Sequence, residues 1–365
     1  MIRISAHPRT AVLVAAAALA VGAATGPAAA SPTLGPASAP ATTKGLTART
    51  LLSGKSRGWS SPDDLTRSGD DLFVSFQNGV PATGGTKGTP ADSTIVKLDL
   101  GGRIEHTWRL AGKCDGLTAD PAHHRVIATV NEDGNSSLYT LPTAGSAAPT
   151  HYLYDAAPLP HGGGTDSVTI YRGGIYLAAS APANGGPALY RVVLDAGVAH
   201  LAAAPFYDSS TATLANTPRP HRSVHLALTD PDSSTVVPPQ SPRFAGDFML
   251  DSQGDQQEVF ATNLGREDQQ LRVLTLSQSV DDTAFTTGRR GHLIATDSAT
   301  DAVVIITGTF KPGTAYTAVT PGNANTAGKN PPLNYLGTID LSTGTIAAVP
   351  TAGLTLTPHS LIYVP

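Results

Sequence analysis

The 365-residue chain contains one cysteine, Cys114, so no internal disulfide framework can staple it, and that residue reads as a small buried apolar group. Charge is scarce: 14% of residues are charged, with 24 Lys and Arg against 28 Asp and Glu, a net charge of −4. That balance offers no basic stripe and excludes a nucleic-acid partner. Beyond Ala24 no stretch approaches the roughly 18 apolar residues of a spanning helix, so no membrane span is expected. Sustained three-four apolar spacing is missing too, while 37 Gly and 29 Pro punctuate the chain every few residues. Helices are thereby excluded as the organising element.

The chain does contain three kinds of segment. Residues 1–30 carry Arg3 and Arg9, an apolar run from Ala11 to Ala24 and then Ala28-Ala29-Ala30, the pattern of a secretory signal. Residues 31–46 are a Pro/Ala/Ser/Thr linker too poor in large apolar groups to order itself. Residues 47–365 form a single domain. With Arg in excess of Lys and abundant Ala and Gly, the expectation is a secreted, extracellular bacterial protein, read as a monomer.

Within the domain, short runs rich in Val, Ile, Thr, Tyr and Leu alternate with turn residues, the mark of an all-β chain. A phrase recurs in ATVNEDGNSSLYTL from Ala128, ALTDPDSSTVVP from Ala227, ATNLGREDQQLRVLTL from Ala261 and ATDSATDAVVIITG from Ala295. Upstream lies a second recurrent element, an acidic residue and a short strand: Asp63-Asp64-Leu65-Thr66, Asp115-Gly116-Leu117-Thr118, Asp166-Ser167-Val168-Thr169, Asp247-Phe248-Met249-Leu250 and Asp282-Thr283-Ala284-Phe285. His359 stands in the equivalent place before the last apolar run. Units this small cannot bury their own apolar faces and must stack, which predicts a β-propeller with the acidic-start strands lining a channel. The long gap from Asp166 to Asp247 favours seven blades, with a degenerate one starting near Thr211 to Asn216; six is the alternative. The last blade is expected to be closed by pairing the N-terminal segment Thr47 to Gly54 with the C-terminal strand.

At CDGLTADPAHHRVIATVNEDGNSSLYTL the chain resembles the NHL-type propellers and the gluconolactonase and regucalcin group, a resemblance of blade grammar over about Asp63 to Val364. That resemblance implies a divalent cation, Ca²⁺ or Mg²⁺, at one channel mouth, held by Asp115, Asp166, Asp247 and Asp282. It implies no organic cofactor. Cys114 replaces the proline usual in that pattern, and Asp63 or Asp64 stands where the group places a glutamate.

Converging carboxylates would repel one another and recruit a counter-charge, and hard oxygen donors of this type suit Ca²⁺ or Mg²⁺. For each aspartate the alternative role is an Asx-turn fixing the loop that enters its blade. Asp63, Asp64 and His359 are placed on the same rim. His161, in His161-Gly162-Gly163-Gly164, is the candidate base, with Asp115, should the protein be an enzyme. Two functions follow: a module binding a small molecule or an extracellular protein or glycan, and, alternatively, a metal-dependent lactonase-like hydrolase or lyase. Long insertions at Asn78 to Ser93, Ser209 to Arg222 and Thr314 to Pro332 would shape the binding face.

Overall fold

The computed structural model describes residues 45–156, 159–182, 185–321 and 334–365. The signal segment, nearly all of the linker and much of the insertion ending at Pro332 lie outside them. Strands dominate, and among the described residues the only helices are three single 3₁₀ turns.

The first three blades run outward from the centre in chain order. They comprise Pro62–Ser68, Asp71–Phe76, Asp92–Asp99 and Ile104–Ala111, then Cys114–Asp120, Arg125–Val130, Ser137–Pro142 and Thr150–Tyr154, then Thr165–Tyr171, Gly174–Ala179, Leu189–Asp195 and Val198–Ala203. Parallel pairing of Val198 and Ala199 with Leu153 and Tyr154 welds the second and third into one eight-stranded sheet. The fourth blade is Pro231–Val236, Phe248–Ser252, Gln257–Thr262 and Gln270–Thr275. Thr211–Leu214 and Ser223–His225 extend its outer edge.

The last two blades exchange strands. Val280–Phe285 is the innermost strand of the fifth, but the chain then leaves to supply His292–Asp297 and Ala302–Thr307 to the sixth. It returns with Ala315–Val319, Tyr335–Ile339 and Ile346–Ala348 to finish the fifth, and ends on Pro358–Val364 at the centre of the sixth. Leu46–Ser53 completes the sixth from outside, antiparallel to Ala302–Thr307. The two end segments thus build one blade, as expected, but they do not pair with each other: Leu46–Ser53 lies on Ala302–Thr307 and Pro358–Val364 on His292–Asp297, because the two strands that the chain sends over from the fifth blade lie between them.

The innermost strands neighbour one another in a closed cycle, the sixth returning to the first. The apolar packing follows the same cycle. Six buried clusters each lie between adjacent blades: Phe73 and Ile95 meet Leu117 and Val126, for example, and Met249 and Phe260 meet Phe285 and Val319. The cluster of Leu52, Ile294 and Val303 against Leu65, Val74 and Phe76 closes the ring. Burial of each such side chain contributes roughly 1.5–3 kcal/mol, so the blades are stabilised by stacking rather than singly.

The described residues therefore form six blades, the alternative to the favoured seven. The expected extra unit near Thr211 is instead an edge extension of the fourth blade, because Thr213 and Leu214 pair in parallel with Arg272 and Val273 on its outer strand. Cys114 is fully buried at the start of the second blade.

Candidate functional site: an acidic channel mouth

Each innermost strand opens with the same two-residue phrase: Pro62-Asp63, Cys114-Asp115, Thr165-Asp166, Pro231-Asp232, Val280-Asp281 and Pro358-His359. Immediately after the first residue, the register against the second strand slips in all six blades. A bulge there bends the strand and re-aims its side chains, so the second residue of each strand turns into the channel. Five aspartates and one histidine, drawn from positions 63 to 359, thereby ring a single cavity of about 410 Å³.

Hydroxyls on the second strands hold the bulges. Ser75 Oγ accepts from Asp64 N at 3.0 Å, and Thr129 Oγ1 accepts from Gly116 N at 2.8 Å. Thr129 Oγ1 also donates to the Asp166 carbonyl at 2.6 Å, and Thr296 Oγ1 donates to the Asp63 carbonyl at 2.6 Å, so two of these hydroxyls reach the next blade's mouth residue. Gly116 is required by close approach: a Cβ there would stand 2.6 Å from Thr129 Oγ1 and 2.9 Å from the Asp166 carbonyl.

Few cations face this ring. Lys113 Nζ lies 2.9 Å from Asp115 Oδ1 and also pairs with Glu132. Burial works against its charge, but Asp115, Asp63 and Glu132 outweigh that and hold the ammonium above its usual range. His359 Nδ1 pairs with Asp281 and lies 3.4 Å from Asp63 Oδ1. Despite burial, those carboxylates lift its imidazole to about 10, so it is a cation at neutral pH. Gln253 Nε2 donates to Asp232 Oδ2 at 2.8 Å and to Asp281 Oδ1 at 2.6 Å, and Gln77 Nε2 donates to Asp115 Oδ1 at 3.1 Å.

Six acids, the five mouth aspartates and Glu132, therefore face two cations, and burial with mutual repulsion raises Asp63, Asp115, Asp166 and Asp232 above the ordinary carboxylate range. Burial, then the charges of Glu132 and Asp115, push Asp166 well above the carboxylate range. Burial, then Asp281 and Asp166, do the same to Asp232. Asp63 rises to about 6, chiefly through burial and in spite of His359 and Lys113. Asp115 Oδ2 is buried with no hydrogen-bond partner.

The residues read from the sequence divide accordingly. Asp63, Asp115, Asp166 and His359 meet at the mouth. Asp64 and Asp282 line the cavity one residue further along their strands. Asp247 is elsewhere: it precedes the second strand of its blade, where Phe248 pairs with Val236, whereas Pro231, beside Asp232, pairs with Ser252 at the other end. It sits at the opposite end of the blade, paired with Arg272. Its acid-plus-apolar phrase has the composition of an inner strand, which misplaces it. His161 does not line the cavity. Its Nε2 lies 2.8 Å from the Gly164 carbonyl and its Nδ1 2.7 Å from the Tyr190 hydroxyl. One nitrogen donates, the other accepts, and no lone pair is left to act as a base. Burial also lowers its affinity for a proton.

Asp232, Asp281, Lys113, Glu132, Gln77 and Gln253 were not singled out by sequence. Asp232 stands in Asp230-Pro231-Asp232 and Asp281 beside Asp282; aligning each acid to the residue after Pro, Cys, Thr or Val finds both. The oxygen donors have the chemistry of a Ca²⁺ or Mg²⁺ site, yet among the described residues no three His, Cys, Asp or Glu side chains converge as a ligand set. The mouth aspartates Asp63, Asp115, Asp232 and Asp281 are instead paired with Lys113, His359, Gln77 or Gln253.

No family model matches the chain, and no curated protein matches it. Solved structures similar to it include the periplasmic gluconolactonase PpgL of Pseudomonas aeruginosa, 16% identical, covering 83% of this chain and 88% of that one, with a TM-score of 0.46. A catalytically inactive virginiamycin B lyase from Staphylococcus aureus with quinupristin is 12% identical, covering 87% and 81%, with a TM-score of 0.41. The Cps50 (Swd1) β-propeller domain of Myceliophteria thermophila is 13% identical, covering 83% and 77%, with a TM-score of 0.42.

Proposed function

We propose that this chain is a secreted bacterial β-propeller that binds a small, positively charged ligand at its acidic channel mouth and performs no chemistry of its own. The observation that carries this reading is the convergence of Asp63, Asp115, Asp166, Asp232 and Asp281 on one cavity with Lys113 and His359 as the facing cations. A cavity of about 410 Å³ lies within the range of small-molecule sites, roughly 300–1,000 Å³. Raised carboxyl pKa values supply a driving force, because a bound cation offsets the mutual repulsion that favours the protonated forms. A small organic diamine brings two charges to these carboxylates, and Ca²⁺ or Mg²⁺ is the monatomic alternative. Secretion rests on the Arg3 to Ala30 pattern.

Calorimetric titration with putrescine, with Ca²⁺ and with a neutral sugar tests this. Saturable binding of either cation, weakened at least tenfold by Asp166→Asn, supports it; binding of the sugar alone would overturn it.

A lactonase-like hydrolase or lyase draws on one observation, a pair of carboxyls, Asp64 and Asp282, inside the same cavity. Turnover of a lactone panel abolished by Asp64→Asn would establish that reading in place of the first.

A further inference from the structure

In three blades the penultimate residue of the second strand is a fully buried hydroxyl, Ser75, Thr129 or Thr296, which accepts a hydrogen bond from an amide of the inner-strand bulge. Its cross-strand neighbour on the third strand is aliphatic: Ile95, Leu138 and Val303 respectively. The third and fifth blades place Ala178 beside Leu189 and Ala318 beside Leu336 at the same two positions. The fourth blade alone departs at both. There Asp251 stands opposite the bulge at Asp232 and Ser233, and its partner on the third strand is Glu258.

Both acids are 0% exposed, and both lie on the face toward the fifth blade, two residues along their strands from Met249 and Phe260, which pack into that interface. Neither oxygen of Asp251 has a hydrogen-bond partner, nor has Glu258 Oε2, nor has the buried Ser233 Oγ on the bulge. The other Glu258 oxygen, Oε1, accepts from Thr283 Oγ1 of the fifth blade at 2.8 Å. The charges bearing on Asp251 are those of Glu258, Asp281, Asp282 and Asp230, all negative. Carboxylate oxygens so buried and so lacking in donors require a counter-charge.

We propose that Asp251 and Glu258 hold a structural Ca²⁺ ion in the interface between the fourth and fifth blades, separate from the channel mouth. Two carboxylates balance its charge, and the unpartnered oxygens name its protein ligands: both oxygens of Asp251, Oε2 of Glu258 and Oγ of Ser233. Ca²⁺ accepts an irregular set of oxygens, whereas Mg²⁺ demands an octahedron and keeps several waters, for which a fully buried sheet face has little room. The ion's purpose follows from the topology. Thr283 Oγ1, which grips Glu258, also lies 3.2 Å from Thr317 Oγ1, so fixing Glu258 fixes the first two strands of the fifth blade. Those two strands are the ones separated in sequence by the excursion to the sixth blade.

This site stands whether or not the mouth binds a cation, and elemental analysis separates the two. The full chain is equilibrated with Ca²⁺, dialysed into metal-free buffer and assayed for retained metal, beside Asp251→Asn and the mouth variant Asp166→Asn. Asp251→Asn should retain one Ca²⁺ per chain fewer than the wild type, and Asp166→Asn should retain the buried ion. EDTA should lower the Tm of the wild type and of Asp166→Asn by about 5 °C or more, and should leave that of Asp251→Asn unchanged. Should Asp251→Asn fail to fold, the double variant Asp251→Thr/Glu258→Leu reinstates the Thr129 and Leu138 pair of the second blade. It should fold without Ca²⁺ and melt at the same temperature with and without EDTA. Equal retention in the wild type and either Asp251 variant overturns the proposal. Loss of all Ca²⁺ in Asp166→Asn alone would place the ion at the mouth, overturning this site while leaving the proposed function standing.

Discussion

Asp64→Asn replaces a carboxyl held near pKa 8 by a neutral group of the same shape, and its effect should depend strongly on pH. In the unfolded chain the carboxyl has its ordinary value of 3.8. Between these two values the folded state binds the proton and the unfolded state does not, so stability falls as pH rises. The full difference sets an upper bound of roughly 6 kcal/mol for this group. Charge coupling to Asp282 and local relaxation reduce it to a few kcal/mol. Asp63 and Asp282, each at about 6, and Glu258 at about 7 act in the same direction over a narrower window. His359, raised to about 10 from its ordinary 6.5, adds to the fall: its contribution is complete below about pH 6.5 and is lost progressively from there to about pH 10. Urea unfolding followed by the fluorescence of Trp59 and Trp108 between pH 4.5 and 8.5 measures this. The wild type should lose stability over that interval, and Asp64→Asn should match it at pH 4.5 and exceed it by about 2–4 kcal/mol at pH 8.5. A wild type that gains stability with pH, together with a variant less stable at pH 8.5, would refute the reasoning, because Asp64 would then be an ionised partner of the nearby cations.

Other outcomes follow from the frame. Leu46→Ala, at the closing strand and almost fully buried, should cost about 2–5 kcal/mol by thermal or urea unfolding. Gly116→Ala drives a Cβ into Thr129 Oγ1 and the Asp166 carbonyl; it should lower stability and weaken putrescine binding together, as calorimetry will read. Thr129→Val removes the link from the second blade to the third and should cost about 1–3 kcal/mol, since the amide of Gly116 loses its acceptor. His161→Gln should leave cation affinity within about twofold while lowering the melting temperature, since that ring holds Gly164 and Tyr190 rather than the channel.

Much of the fold was legible in the sequence because it is written locally. Alternating apolar runs and turn residues give the strands, and a carboxylate before an apolar run marks an inner strand at Asp63, Asp115 and Asp166. That both end segments join one blade was legible because a lone C-terminal strand needs a sheet around it, but its neighbour is His292–Asp297 and the N-terminal strand is added at the outside. What was not legible depends on partners distant in sequence. His292–Asp297 follows Val280–Phe285 directly, yet it pairs with Pro358–Val364, and nothing local says which of two neighbouring sheets an apolar strand joins. Asp247 failed for a related reason, since a buried second strand preceded by an acid has the composition of a first one. The choice of Asp282 over Asp281 was a register matter: the bulge after Val280 turns the earlier acid into the mouth, and a bulge leaves no compositional trace. Lys113 and Glu132 became site residues only through the packing of loops around Asp115.

The most direct measurement is a double-mutant cycle on putrescine affinity with Asp166→Asn and Asp232→Asn, whose positions lie on innermost strands of adjacent blades, and with the fully exposed Asp70→Asn as control. If carboxylates from successive blades share one cation at one mouth, each mouth substitution weakens binding, their effects are non-additive by about 0.5–3 kcal/mol, and Asp70→Asn changes nothing. Strictly additive effects no larger than the control's would contradict the account.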